Sequence, residues 1–84
     1  TQEGLCKKYY IQKEYEKCII YGDKVLTNNP KDFEILGIRA HAKFLLGQHD
    51  ASITDLNELL KHERNNVDSY LLRATNYLFL ERYK

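Results

Sequence analysis

Apolar side chains recur along the chain at three- and four-residue steps: Leu36, Ala40 and Phe44, then Ile53, Leu56 and Leu60, then Tyr70, Ala74 and Tyr77. That spacing puts each set on one face of a helix, and nothing alternates with period two for long enough to make a strand. Interruptions are few, one proline (Pro30) and four glycines. Asp32 and Asp50 stand where a helix N-cap is useful, and Gly47 where one helix ends before the next begins. The pattern predicts five helices, over about 2–12, 15–28, 32–46, 50–62 and 67–81.

Composition narrows the class. Hydrophobic residues make up 43% and charged residues 30%, the balance of a globular chain. Thirteen Lys and Arg against twelve Asp and Glu leave a net charge of +1, with the signs interspersed. Neither nucleic acid nor a membrane surface is therefore an expected partner. No apolar run approaches the ~18 residues needed to span a bilayer. No charged start followed by an apolar stretch marks a signal peptide within the chain; the compartment is left open, with the cytoplasm as the default. The 84 residues make at most one small domain, with a core worth only ~3–5 kcal/mol. Starting at Thr1 and stopping at Lys84 within an apolar-periodic stretch, the chain reads as a piece of a longer protein.

Sliding the sequence on itself by 34 residues superposes Arg39 on Arg73, Leu36 on Tyr70, Ile19 on Ile53 and Leu26 on Leu60. The same shift aligns Tyr9, Lys43 and Tyr77, then Cys6, Ala40 and Ala74, then Tyr15, His49 and Tyr83. Two helices per unit at this period are the tetratricopeptide spacing, and the chain resembles the tetratricopeptide repeat family over essentially its whole length. In that family small residues meet where paired helices approach, and a glycine and an aromatic mark the turn. Ala40 and Ser52, Gly47 and His49 match those slots in the middle unit; Cys6 and Cys18, Lys13 and Tyr15 match them in the first, which Pro30 closes. The units run over about 1–32, 33–66 and 67–84, the last truncated to one helix. Three positions depart from the pattern: Gly22 in a bulky slot, Lys43 for an aromatic and Arg64 for the closing proline. Gly22 costs ~1 kcal/mol against Ala inside a helix and is expected to leave a gap that Tyr21 fills. An unrelated array of helical hairpins is the alternative to the resemblance.

The resemblance implies an all-α, right-handed solenoid of antiparallel helix pairs whose inner face is lined by the first helix of each unit. By helical phase that face shows Glu3, Lys7, Tyr10 and Ile11, then Glu34, Ile38, His41, Phe44 and Leu45, then Asp68, Leu71, Leu72, Thr75, Leu78 and Phe79. One subclass of the family holds the carboxy-terminal tail of chaperones in a Lys, Asn and Arg clamp. At the matching places stand Glu3, Lys7, Ile38, Asp68 and Leu72, so no clamp is expected. What the resemblance implies instead is a non-enzymatic scaffold of the assembly or co-chaperone class. Its groove would bind an apolar peptide, a partner helix or an unfolded segment, with Lys7, Tyr10, Ile38, His41, Phe44, Leu45, Leu71, Leu72, Thr75, Leu78 and Phe79 as groove residues. The alternatives are an RNA-binding helical repeat, against which the period and the inner acids speak, and an appendage of an enzyme whose catalytic domain lies elsewhere. The truncated end should leave Tyr77, Leu80 and Tyr83 uncovered and promote self-association.

The family slots also bring Cys6 and Cys18 together, within reach of a disulfide or as two small buried fillers. No catalytic residue, metal or cofactor is expected. His41, His49 and His62 lie on different elements, and none has the spacing of a metal or nucleophile motif. His49 reads as a turn aromatic and His62 as a cation near a helix end. Asp55, Glu58 and Glu63, beside Lys61 and Arg64, read as a solvated face with local ion pairs.

Overall fold

A computed structural model describes residues 1–82. They form five α-helices and no strand: α1 (Gln2–Ile11), α2 (Tyr15–Asn28), α3 (Phe33–Leu45), α4 (His49–His62) and α5 (Val67–Arg82). Tyr83, aligned above with Tyr15 and His49, lies outside the described residues.

Short polar side chains start α1, α3 and α5. Thr1 Oγ1 accepts from Gly4 N–H at 3.0 Å, Asp32 Oδ1 from Ile35 N–H at 3.2 Å, and Asn66 Oδ1 from Ser69 N–H at 3.0 Å. Each satisfies a donor that the helix itself leaves unpaired. Asp50 is not a cap. The cap of α4 is Gln48, and Asp50 sits in the first turn, where its charge meets the positive end of the helix.

The ends of α1 and α3 are built alike. Gln48 N–H donates to Lys43 O at 2.8 Å and Gly47 N–H to Phe44 O at 2.9 Å, with Gly47 in the left-handed region at φ 78°. Thirty-four residues earlier, Glu14 N–H donates to Tyr9 O at 2.9 Å and Lys13 N–H to Tyr10 O at 3.1 Å, with Lys13 at φ 61°. The turn is thus the same, but one copy places a lysine where glycine is free of strain.

Each helix packs against the next in the chain, and α3 also touches α1 and α5. The central helix therefore buries two faces, Ile35 and Ala42 on one and Leu36 and Ala40 on the other. Fully burying a side chain such as Ile35 or Leu56 contributes about 1.5–3 kcal/mol.

Other contacts repeat with the same offset. Arg39 Nη1 donates to Asp23 Oδ1 at 2.8 Å, and Arg73 Nη1 to Asn57 Oδ1 at 2.9 Å, in each case across 16 residues. Tyr10 meets Tyr15 edge-on with ring centroids 6.1 Å apart, and Phe44 meets His49 edge-on at 5.6 Å. At Gly22 a Cβ would lie 3.5 Å from Cys6 Sγ and 3.7 Å from the Arg39 stem, ordinary contact distances, so the gap left in the bulky slot has room for a methyl group. Tyr21, expected to fill that place, instead stacks on Tyr9 at 5.5 Å.

Candidate interaction groove

A hollow of about 760 Å³ opens between α1, α3, α4 and α5, within the size range of small-ligand sites. Six expected groove residues line it: Tyr10, Ile38, His41, Leu71, Leu72 and Thr75. Glu34 and Asp68, both placed on the inner face by helical phase, stand at its rim. Thr75 has its hydroxyl turned to its own helix, donating to Leu71 O at 2.9 Å.

Lys7 does not line this hollow. Its ammonium lies 2.6 Å from Glu34 and 3.8 Å from Glu3, tying α1 to α3. The hydrogen bond to Glu34, before any other influence, raises its pKa. Phe44, Leu45 and Phe79 line a second hollow with Gly47 and His49, so the single groove of the sequence reading is divided in two. Leu78, 57% exposed, lines neither, and the inner-face Ile11, 78% exposed, is also outside both. A one-residue step turns a helix by about 100°, which separates Leu78 from the adjacent Phe79.

Aromatic rings join the two hollows. Tyr10 and His41 are hydrogen-bonded through the hydroxyl and Nδ1. The His41 ring stacks against Phe44 at 6.1 Å, Phe44 meets Phe79 edge-on at 5.6 Å, and Phe79 stacks on His49 at 4.9 Å. Burial raises the pKa of Tyr10, and the neighbouring Tyr15 and Cys18 add to it. His49 fills its turn position, and His62, at the end of α4, stacks on Phe33 at 4.8 Å.

Behind the second hollow runs a chain of buried hydrogen bonds. Ser52 Oγ donates to Ala40 O at 2.7 Å, and Asn76 Nδ2 donates to Ser52 Oγ at 2.9 Å. Asn76 Oδ1 is thereby left to accept from His49 Nδ1, 2.8 Å away. These bonds fix the His49 ring and with it the wall formed by Phe79.

Sequence reasoning missed the floor. Leu56 and Leu59 of α4 reach the first hollow, as do Phe33 and Gly37 of α3 and Glu63, Asn66 and Ser69 around the α4–α5 turn. Leu56 was visible as part of an apolar stripe, but assigning the inner face to first helices alone hid its second use. Gly37 is the other lining residue missed, and a Cβ there would lie 3.6 Å from Leu59, an ordinary contact.

Asp55 overturns the solvated reading of its helix. It is 4% exposed and accepts two bonds from Arg39, at 3.0 Å from Nε and 2.7 Å from Nη2, with Lys43 Nζ at 3.1 Å. Burial works against the charge of Arg39, but Asp55 and Asp23 outweigh it and raise the guanidinium pKa. Glu58 does behave as read, pairing with Lys61 and His62 on the surface.

Cys6 and Cys18 are both buried free thiols with their sulfurs 3.7 Å apart. The expected proximity is present and the bond is not. Burial, reinforced by Cys18, pushes Cys6 up to about 12. At the other end, Tyr77 is 53% exposed, as expected, whereas Leu80 is half-buried. Among the described residues, no three His, Cys, Asp or Glu side chains gather as a metal site, and no helix is long and apolar enough to cross a membrane. No family model, curated protein or solved structure matches the chain.

Proposed function

We propose that the chain is a protein-interaction scaffold of the tetratricopeptide type, binding an apolar peptide, partner helix or unfolded segment along α1, α3 and α5. The observation that carries this reading is the hollow itself, in which residues of alternate helices converge on an apolar floor. The pairs of contacts repeated across 34 residues support a stacked array, since each pair recurs between successive helices. Leu71 at 62% and Leu78 at 57% exposure leave apolar side chains on the surface of α5, more than a solvated helix needs.

Fluorescence anisotropy tests the reading with three labelled peptides: an acidic one with a free terminal carboxylate, its amidated form, and an uncharged apolar one. The apolar peptide is expected to bind, with Leu72→Glu or Phe79→Glu weakening it at least tenfold, as burying an unpaired charge in an anchor site costs more than 1.4 kcal/mol. Binding that depends on the terminal carboxylate would overturn the apolar reading and return the chain to the clamp subclass.

A further inference from the structure

The rim of the first hollow carries Glu34, Glu63 and Asp68, and no lysine or arginine lines it. The acids are not spread evenly. Glu34 and Asp68 are the second residues of α3 and α5, and Glu63 caps the end of α4. His41 and Thr75 stand seven residues further along α3 and α5, about 10 Å away at the helical rise. One end of the hollow is therefore acidic, and the other is walled by Tyr10, His41 and Thr75 over a floor of leucine and isoleucine.

Helix electrostatics accounts for only part of this. A carboxylate in the first turn stabilises its own helix, which is reason enough for Glu34 and Asp68. Glu63 sits at the opposite pole of α4, where a negative charge opposes the dipole. Its Oε1 accepts from Asn66 Nδ2 at 3.0 Å, and among the described residues it pairs with no cation; neither does Asp68. The same rim already shows which group suits it, since Glu34 holds the Lys7 ammonium at 2.6 Å.

We infer that the occupant of this hollow is an apolar peptide segment bearing lysine or arginine at one end, seated with its cations between Glu63 and Asp68 and its apolar side chains on Ile38, Leu59 and Leu72. The inference rests on the scaffold reading above and adds the partner's charge and direction. Carboxylates on the rim select by repelling acidic segments as well as by attracting basic ones.

The test uses three labelled peptides that share one leucine-bearing segment and carry paired lysines, glutamines or glutamates at one end. The lysine peptide is expected to bind about tenfold more tightly than the glutamine one, as two partly exposed ion pairs allow. That advantage should disappear in Glu63→Gln/Asp68→Asn and shrink as salt is raised. Equal binding of the lysine and glutamine peptides, with Leu72→Glu abolishing both, would overturn the basic partner and leave the scaffold standing. A lysine advantage that survives in the double variant would overturn the site. Failure of all three peptides to bind would overturn the scaffold reading as well.

Discussion

In the α1–α2 pair, Cys6 and Cys18 meet at the closest approach, Tyr9 stacks on Tyr21, and Lys13 makes the turn. In the α3–α4 pair, the same places hold Ala40 and Ser52, Lys43 and Asp55, and Gly47. The geometry is shared, while the first pair is closed by sulfur and aromatic surface and the second by a hydroxyl bond and a buried ion cluster. A helical hairpin thus asks for small residues at its closest approach and leaves both the size and the chemistry of the neighbouring pair open. The second pair is the central one, flanked by helices on both sides, and can keep charges dry enough to matter. Among the described residues the first packs against α3 alone, where stacking is less demanding than ionic satisfaction.

The difference predicts unequal sensitivity to truncation. Asp55→Ala leaves Arg39 and Lys43, with side chains 19% and 15% exposed, short of their shared partner. The expected loss is about 3–5 kcal/mol. Tyr21→Ala, at the matching position, removes a half-buried ring from a stack, at a cost of about 1–2 kcal/mol. Urea unfolding midpoints compare the two directly. A smaller shift for Asp55→Ala than for Tyr21→Ala would mean that the ion cluster adds no more than the stack it replaces.

Asp55 also marks where the sequence stops being informative. Its burial depends on Arg39 and Lys43, sixteen and twelve residues away on α3. Seen along α4 alone, Asp55 looks like Glu58, which does face solvent. Features with local causes were legible: the Asp32 cap, the Gly47 turn and the spans of all five helices to within a residue or so. The hollow was legible in half. Eight of the residues that line it follow from helical phase, but the floor from α4 and the acid Glu63 need the packing of three helices to be known. The cysteine pair was placed by the repeat, and its state as two thiols was not, because a slot in a pattern does not distinguish sulfurs 3.7 Å apart from sulfurs at the ~2.05 Å of a bond.

That thiol pair gives the next contrast, an alkaline one. Cys6 is pushed from an ordinary 9.0 to about 12 in the folded chain, so between those values the unfolded chain has lost a proton that the folded chain keeps. Stability contributed by the protonated thiol is complete below pH 9.0 and falls as pH rises through the window, by up to about 1.4 kcal/mol per pH unit. Cys6→Ala/Cys18→Ser gives the first pair the residues of the second, which have nothing to titrate. Lysines and tyrosines also titrate here, so the quantity to measure is the difference between the two proteins' stability curves. The expected result is a shallower alkaline decline for the double variant. Parallel curves would show that the buried thiols do not resist deprotonation.

The smallest effect concerns the turns. Gly47 and Lys13 close the same pair of hydrogen bonds at φ 78° and 61°, but only the lysine bears a Cβ in the left-handed region. Lys13→Gly removes that strain and adds freedom to the unfolded chain, for a net gain of about 0.5–1 kcal/mol. Gly47→Ala imposes the strain on the second pair, for a loss of about 1 kcal/mol. Nothing lies within 4 Å of the Cβ it would add, so steric crowding does not confuse the result. Midpoints moving in opposite directions would place the whole asymmetry of the turns in one backbone angle. If Lys13→Gly leaves the midpoint unchanged, the lysine stem must be recovering the strain by packing, and Lys13→Asn, which tolerates the angle without the stem, should then destabilise.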